Sequence, residues 1–426
     1  MAIAAWHVIR LECKDKGKTV VFILTLKMDA FDINIEGTDG VPMVYNTLTR
    51  DFSKVSSVMS NYNPLDEKDI ERFRAILKDA LLNDPQAVTI LPTTNCNARC
   101  WYCYEHGIHR YDMTIEIAEH VVSFISDYFE KTELTINWFG GEPLLGFDII
   151  QYITTKLKEK GYCLTTCVTT NGSLLNEDVI SFLKDNYNKV NVNITIDGLK
   201  EDYANVKKYI NIPKEQAFNR VIHNVKLLLK NKIFVLLRIN FDNLEKAESV
   251  YAYLNSELEG FDKASFHICY APIWKKESDL EQFRIDAITN LHYINNGLDI
   301  NVLANPFMDN ILINSVANTK RLGHCVALSK NNMVINADGL LYRCHSLVCD
   351  EKYACGNVTT GLDVSALGYL LFEKEHEKQC GGCSLLPLCS TQCRVRSILY
   401  GEESICDNTK IIVPEIAKLK LNRRRK

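Results

Sequence analysis

Proline and glycine are scarce in this chain, 10 and 20 among 426 residues, which excludes collagen-like and low-complexity architectures. No internal repeat is visible. Long apolar runs are lacking as well: none reaches the roughly 18 residues that a membrane span needs. The nearest, 221–241, is interrupted by His223, Lys226, Lys230, Lys232 and Arg238. Charge of one sign is absent, since 49 basic and 53 acidic residues leave −4, and only the end, 418–426, is basic. That balance argues against a dedicated nucleic-acid partner. The first residues carry no basic segment ahead of a short apolar run, so no export signal is read and a cytoplasmic protein without a membrane partner is expected.

Hydrophobic residues make up 46% of the chain and aromatic residues 9%, enough for a sizeable core and too many for a disordered chain. At roughly 150 residues per domain, two or three domains are expected. The 16 cysteines are therefore not needed as staples. In a reducing compartment thiols are rarely paired, and such a density points to metal or redox chemistry.

The cysteines divide the chain into three zones. Residues 1–85 hold only Cys13; nine of the 16 fall between 325 and 406. Short β-prone runs at 6–12, 20–26, 30–35 and 44–49 make zone 1–85 a small α+β unit. It closes with a helix after Asp66, whose apolar face is Ile70, Phe73, Ile76, Leu77, Ala80 and Leu81. In zone 86–318 strand-like runs at 87–92, 134–138, 163–169, 190–196, 234–240 and 264–270 alternate with helical patterns at 114–129, 147–158, 177–185, 215–229, 244–258 and 279–296. Such alternation implies an α/β fold of parallel βα units, either an open doubly wound sheet or a partial barrel. Zone 319–426 is loop-rich and cysteine-dense.

Directly after the first strand of the βα series stands Cys96-Asn-Ala-Arg-Cys100-Trp-Tyr-Cys103. Two ligands suit such a trio. A zinc ion would need a fourth donor, for which His106 and His109 are at hand. An iron–sulfur cubane held by three thiolates keeps one iron open, and the end of a strand, where βα folds place their chemistry, favours this second choice. One βα unit later comes Asn137-Trp-Phe-Gly140-Gly141-Glu142-Pro143. Here two glycines permit close backbone approach, and Glu142 can accept from a cationic amine.

The cysteine spacing, Tyr102 before the last cysteine and the Gly-Gly-Glu-Pro run together resemble the signature of the radical S-adenosylmethionine (SAM) enzymes. The resemblance implies a partial (β/α)6 TIM-like barrel and a [4Fe–4S] cluster on Cys96, Cys100 and Cys103 whose open iron binds SAM. Reductive cleavage of SAM then gives a 5′-deoxyadenosyl radical that abstracts a substrate hydrogen. It further implies SAM contacts from Tyr102, Gly140, Gly141 and Glu142, and from two strand ends, Thr170-Asn171-Gly172 and Thr195-Ile-Asp-Gly198. Thr195 would face the ribose and Lys207 the SAM carboxylate, where relatives often carry arginine.

The array Cys325, Cys344, Cys380, Cys383, Cys389, Cys393 and Cys406 resembles the SPASM extension of radical SAM enzymes that modify peptides and proteins. By that resemblance Cys325, Cys344 and Cys393 hold one auxiliary [4Fe–4S] cluster and Cys380, Cys383, Cys389 and Cys406 another, three clusters in all. Some relatives supply a further cysteine at the position of Thr319. Here Cys349 or Cys355 can replace it, or the fourth iron is open. Zinc ribbons are the structural alternative. His345 stands where sulfatase-maturing relatives carry an aspartate base, so it is a candidate catalytic residue, as is Cys269; a structural hydrogen bond and a small buried side chain are the plainer roles of such residues.

Zone 1–85 resembles the front portion of enzymes that mature ribosomally made peptides, which implies a precursor peptide whose leader adds as a strand to a sheet edge. A plain packing extension is the alternative. The expected function is a peptide maturase installing a thioether or carbon–carbon crosslink, fed by a reductant such as flavodoxin or ferredoxin. The alternatives are a formylglycine-forming sulfatase maturase and a non-catalytic zinc-binding interaction protein.

Overall fold

A computed structural model of the protein describes residues 85–273 except 106, 108 and 131, and residues 326–367 except 349. It also describes 6–15, 18–27, 32–36, 42–48, 51–54 and scattered positions within 68–75 and 383–421. The expected helix 279–296 lies outside the described residues. Of the expected helix after Asp66, the described residues 68, 71, 72 and 75 are helical.

The front of the chain forms two small antiparallel sheets. One is a hairpin of β1 (Trp6–Asp15) and β2 (Lys18–Lys27). The other has the order β3-β4-β5, with β3 (Asp32–Glu36), β4 (Pro42–Asn46) and β5 (Phe52–Lys54). Ile35, Met43 and Tyr45 of this second sheet pack against Leu385, Leu388, Val413, Ala417 and Leu421, so the two ends of the chain share a small core. The Thr47 hydroxyl donates to the Ser384 carbonyl across the same contact.

The main body is an eight-stranded sheet. Six strands run in parallel: β6 (Ala87–Ile90), β7 (Glu133–Trp138), β8 (Cys163–Thr170), β9 (Lys189–Ile196), β10 (Phe234–Phe241) and β11 (Phe266–Pro272). Their spatial order follows the chain without reversal. A reversal would send helices to both faces; its absence puts every crossover on one face, which decides for a partial TIM-type barrel over a doubly wound sheet.

The crossover helices are α1 (Ile115–Tyr128), α2 (Phe147–Glu159), α3 (Glu177–Asn186), the pair α4 (Lys200–Lys207) and α5 (Lys214–Lys230), and α6 (Leu244–Glu257). Their starts are written in the sequence: Thr114, Asn176 and Asn243 each accept a backbone N–H from their own first turn. The buried face of α1 is Ala118, Val121, Val122 and Ile125, a 3–4 spacing that meets the sheet.

The third zone also contributes to this sheet. β12 (Asn332–Ile335) runs parallel to β6 on its free side, and β13 (Leu341–Tyr342) pairs antiparallel to β12. Met333 and Ile335 enter the main core with Val88 and Ile90.

Strand alternation gives the barrel two unlike faces. Val192, Ile194, Ile196, Val235, Leu237 and Ile239 sit in the helix-side core. The other face carries Asn137, Thr169, Asn193, Thr195, Arg238 and Asn240, all only partly buried. Closed barrels fill this inner space with branched apolar side chains. Here it is polar, which suits a bound polar molecule better than a sealed core.

Candidate active site

The cysteine loop leaves the end of β6 and is pinned on both sides. Thr94 N–H donates to the Tyr111 carbonyl (2.9 Å), and Tyr111 N–H donates to Thr94 Oγ1 (2.7 Å). Asp112 receives Thr93 Oγ1 at 2.5 Å and Asn95 Nδ2 at 3.0 Å, bonds that hold its carboxyl below the ordinary range. Farther along, Arg99 N–H reaches the Lys207 carbonyl (2.7 Å), and the Asn97 carbonyl accepts from Ile210 N–H (2.9 Å).

Cys96, Cys100 and Cys103 are free thiols, each partly open. Burial pushes the Cys96 thiol up to about 11 and raises the other two, and the charges of neighbouring cysteines add to this for Cys96 and Cys103. Three thiols on one loop whose thiolate form is disfavoured by burial are soft donors, with Lys207 beside Cys100 and Arg110 beside Cys103 as their positive neighbours. Among the described residues, however, no group of three or more Cys, His, Asp or Glu is already gathered to hold a metal ion. Soft thiol donors are what an iron–sulfur group takes, and binding iron would offset the burial that disfavours their thiolate form, so the donor set fits such a group by its chemistry.

The glycine pair makes its close approach to this loop. A Cβ on Gly140, whose φ is +119°, would stand 2.3 Å from the Thr93 carbonyl oxygen, and one on Gly141 would stand 2.2 Å from that of Asn95. Gly141 N–H and Glu142 N–H donate to the same two carbonyls, at 3.3 and 2.8 Å. The Glu142 side chain is fully buried. It accepts from Thr170 Oγ1 (2.7 Å), Asn171 N–H (2.8 Å) and Leu144 N–H (3.2 Å). Burial raises its carboxyl above the ordinary value although these bonds pull it down. Asn171 in turn donates from Nδ2 to Asn97 Oδ1 (2.8 Å) inside the cysteine loop, and Asn97 Nδ2 donates to Ser173 Oγ (3.0 Å). Three segments distant in sequence are thus wired into one rim.

A second network spans the ends of β9 and β10. Tyr102 donates its hydroxyl to Asp197 Oδ1 (2.8 Å) and accepts from Asn240 Nδ2 (2.9 Å). Lys207 Nζ lies 2.6 Å from Asp197 Oδ2 and donates to Thr195 Oγ1 at 2.6 Å. Lys207 is only 2% exposed. Burial disfavours its charge, but the Asp197 carboxylate beside it outweighs this and holds its ammonium well above the usual value. The ammonium's counter-ion is therefore already within the protein.

His345 follows Cys344 at the start of a short 3-10 turn, and its ring meets Phe139 with centroids 4.8 Å apart. The ring has open surface, yet burial first and the Arg238 charge second push its imidazole down to about 4. Cys269 is buried on β11 beside Arg238 of β10. Cys355 is buried in the main core and donates its thiol to the Leu341 carbonyl at 3.3 Å. Cys383 adjoins the small core shared by the chain ends. Cys325, Cys349, Cys380, Cys389, Cys393, Cys406, Thr319 and His106 lie outside the described residues.

Reading by motif missed Asn97, Ser173, Asn240 and Glu105. The first three are ordinary polar residues that acquire a role only through contacts 74–138 positions away. Burial pushes the Glu105 carboxyl up to about 7 against the pull of Arg110, and its position two residues past Cys103 was the available signal.

The radical SAM superfamily model matches residues 90–250, the stretch that holds these networks. A cysteine-type anaerobic sulfatase-maturating enzyme of Clostridium novyi is 26% identical over 337 residues, covering 71% of this chain and 86% of that protein. The radical SAM cyclopropyl synthase TigE of Paramaledivibacter caminithermalis is 21% identical over 371 residues, covering 79% and 75%. Among solved structures, native anSMEcpe with bound AdoMet and Kp18Cys peptide superposes with a TM-score of 0.61 at 20% identity, covering 80% of this chain and 99% of that one. That likeness establishes the partial-barrel fold.

Proposed function

Because the chain belongs to the radical SAM superfamily and is related to the sulfatase-maturating and SPASM enzymes, we propose that it modifies a peptide by hydrogen abstraction. The product is an intramolecular thioether or carbon–carbon crosslink in a ribosomally made precursor. The observation that carries this reading is the rim itself, in which Asn97, Asn171 and Glu142 bind the cysteine loop to two further strand ends above a polar barrel interior. The peptide seen with anSMEcpe supports the choice of substrate class.

Cys96, Cys100 and Cys103 would hold the [4Fe–4S] cluster, with SAM on its open iron, framed by Tyr102, Gly140, Gly141, Asn171 and Thr195. When bound, this pair supplies a 5′-deoxyadenosyl radical that removes a substrate hydrogen atom. The protein positions and shields. Glu142 holds the rim from behind, since its carboxylate already accepts three protein donors. Lys207 and Asp197 fix Tyr102 and Thr195 on the cofactor side. Two auxiliary clusters on Cys325, Cys344 and Cys393 and on Cys380, Cys383, Cys389 and Cys406 would take up the electron left after bond formation, making residues 319–426 a SPASM unit behind a core of 86–318. For the first of these, Cys349 suits the missing ligand better than Cys355, whose thiol is spent on a backbone carbonyl. The edges of the β3-β4-β5 sheet are where a leader peptide would add as a strand.

A second reading, formation of formylglycine in a sulfatase, is favoured by the Clostridium novyi relative. Oxygen-free protein reconstituted with iron and sulfide, SAM and dithionite tests both. Peptides encoded beside this gene should lose two hydrogens without gaining an aldehyde; an aldehyde on a sulfatase peptide selects the second reading instead. Cys100→Ala should abolish 5′-deoxyadenosine formation, and full turnover in that variant would refute the cluster assignment.

A further inference from the structure

Arg238 lies on β10 between Thr195 of β9 and Cys269 of β11, its paired neighbours in the two registers. It shares the inner strand face with Asn240, whose side chain reaches the Tyr102 hydroxyl of the cysteine loop. The guanidinium therefore sits inside the barrel, below the rim. Its Nε is buried and has no hydrogen-bond partner. Among the described residues no carboxylate forms an ion pair with it. Asp197, the acid at the end of the adjoining strand, is occupied by Lys207 and Tyr102.

A buried guanidinium N–H without an acceptor is costly even on a partly buried side chain, and interiors rarely leave such a donor unsatisfied. Guanidinium is also the side chain whose fork matches a carboxylate. We propose that Arg238 is the docking point for a carboxylate carried by the substrate, an aspartate or glutamate side chain or a chain end, held inside the barrel where hydrogen abstraction takes place. This assignment rests on the peptide reading above and adds the acidic group to it. Its place on the inner strand face, one pleat below Asn240, the residue that meets the cysteine loop, favours substrate over cofactor.

The test uses the reconstituted holoenzyme with SAM and blocked pentapeptides that carry Asp or Glu at the centre, each matched to its Asn or Gln counterpart. Binding is followed by ligand-observed NMR. The acidic peptides should bind about 10- to 100-fold more tightly than the amides. Arg238→Gln should erase that preference, and Arg238→Lys should keep part of it. Because the Lys variant retains the charge, it separates loss of the site from loss of the fold, and iron and sulfide content is matched across the three proteins.

Equal binding of acidic and amide peptides by the wild type overturns the proposal, as does an acidic preference that survives Arg238→Gln. Titrating SAM and decarboxylated SAM provides the remaining arm. If Arg238→Gln weakens SAM but not its decarboxylated analogue, the guanidinium serves the cofactor and the assignment falls. Formation of 5′-deoxyadenosine by the wild type is scored separately. Its absence sinks the radical reading, whereas its presence without acidic preference sinks the Arg238 assignment alone.

Discussion

Gly141→Ala adds one methyl group where the chain has no room for it. The new Cβ would lie 2.2 Å from the Asn95 oxygen, 2.5 Å from the Asn95 carbonyl carbon and 2.6 Å from the Thr94 oxygen. These are backbone atoms, so no rotamer change relieves the contact. Overpacking of this kind costs about 1–3 kcal/mol. Moving the loop also weakens the bonds from Gly141 N–H and Glu142 N–H to residues 93 and 95, each worth about 0.5–1.5 kcal/mol. The expected loss is roughly 2–6 kcal/mol of unfolding free energy in the iron-free protein, concentrated on the backbone just before Cys96. Denaturant unfolding reads the stability and iron content after reconstitution reads the loop, which should lose cluster from the Cys96 site. Gly260→Ala is the control: nothing lies within 4 Å of its Cβ position, so it should be neutral in both assays. If Gly141→Ala unfolds and loads iron as Gly260→Ala does, the glycine pair is not there to admit the cysteine loop.

Asp197→Asn should destabilise the protein by about 3–5 kcal/mol, because it leaves the buried Lys207 ammonium with the Thr195 hydroxyl and the Tyr203 ring but no counter-charge from Asp197, and pairing it with Lys207→Met should recover most of the loss in denaturant unfolding. Tyr187→Phe should cost about 1–3 kcal/mol in the same assay. The Thr154 hydroxyl donates to the Ile150 carbonyl, so Tyr187 donates to Thr154 and accepts from Trp138 Nε1, and the variant strands that buried N–H. Glu142 has its carboxyl raised by burial, so its protonated form favours the native state. Its stabilising contribution is full below the ordinary value of 4.5 and is lost as the pH climbs through the raised value. The stability of the wild type relative to Glu142→Gln should therefore fall from acid to neutral pH; a rise would mean that the three hydrogen bonds outweigh burial.

What was legible in the chain was local. The runs at 163–169 and 190–196 and the helical pattern at 147–158 fall within a residue or two of β8, β9 and α2, because period-2 and period-3.6 patterns are fixed by each element's own buried face. The cysteine loop was visible as a short run with its own spacing, whereas the glycine pair and the Thr195 to Gly198 strand end were picked out by their resemblance to family motifs. Long-range pairing was not visible. β12 is four residues long, and nothing in Asn-Met-Val-Ile states that its partner is β6, more than 240 positions earlier; the choice is made by Met333 and Ile335 joining the Val88 and Ile90 core. Lys207 shows the same limit in the site. The resemblance implied a cation for the cofactor; what it did not show is that Lys207 also pairs with Asp197, a partner ten residues back whose approach depends on α4 folding against the end of β9. Arg238 is the converse case. In the sequence it looked like an interruption of an apolar run, since a single arginine carries no spacing. Strand register places it on the inner face between Thr195 and Cys269, where among the described residues no carboxylate forms an ion pair with it. The cation that the resemblance singled out thus has a partner within the protein, and the cation that it did not single out is the one with a buried N–H still unpaired.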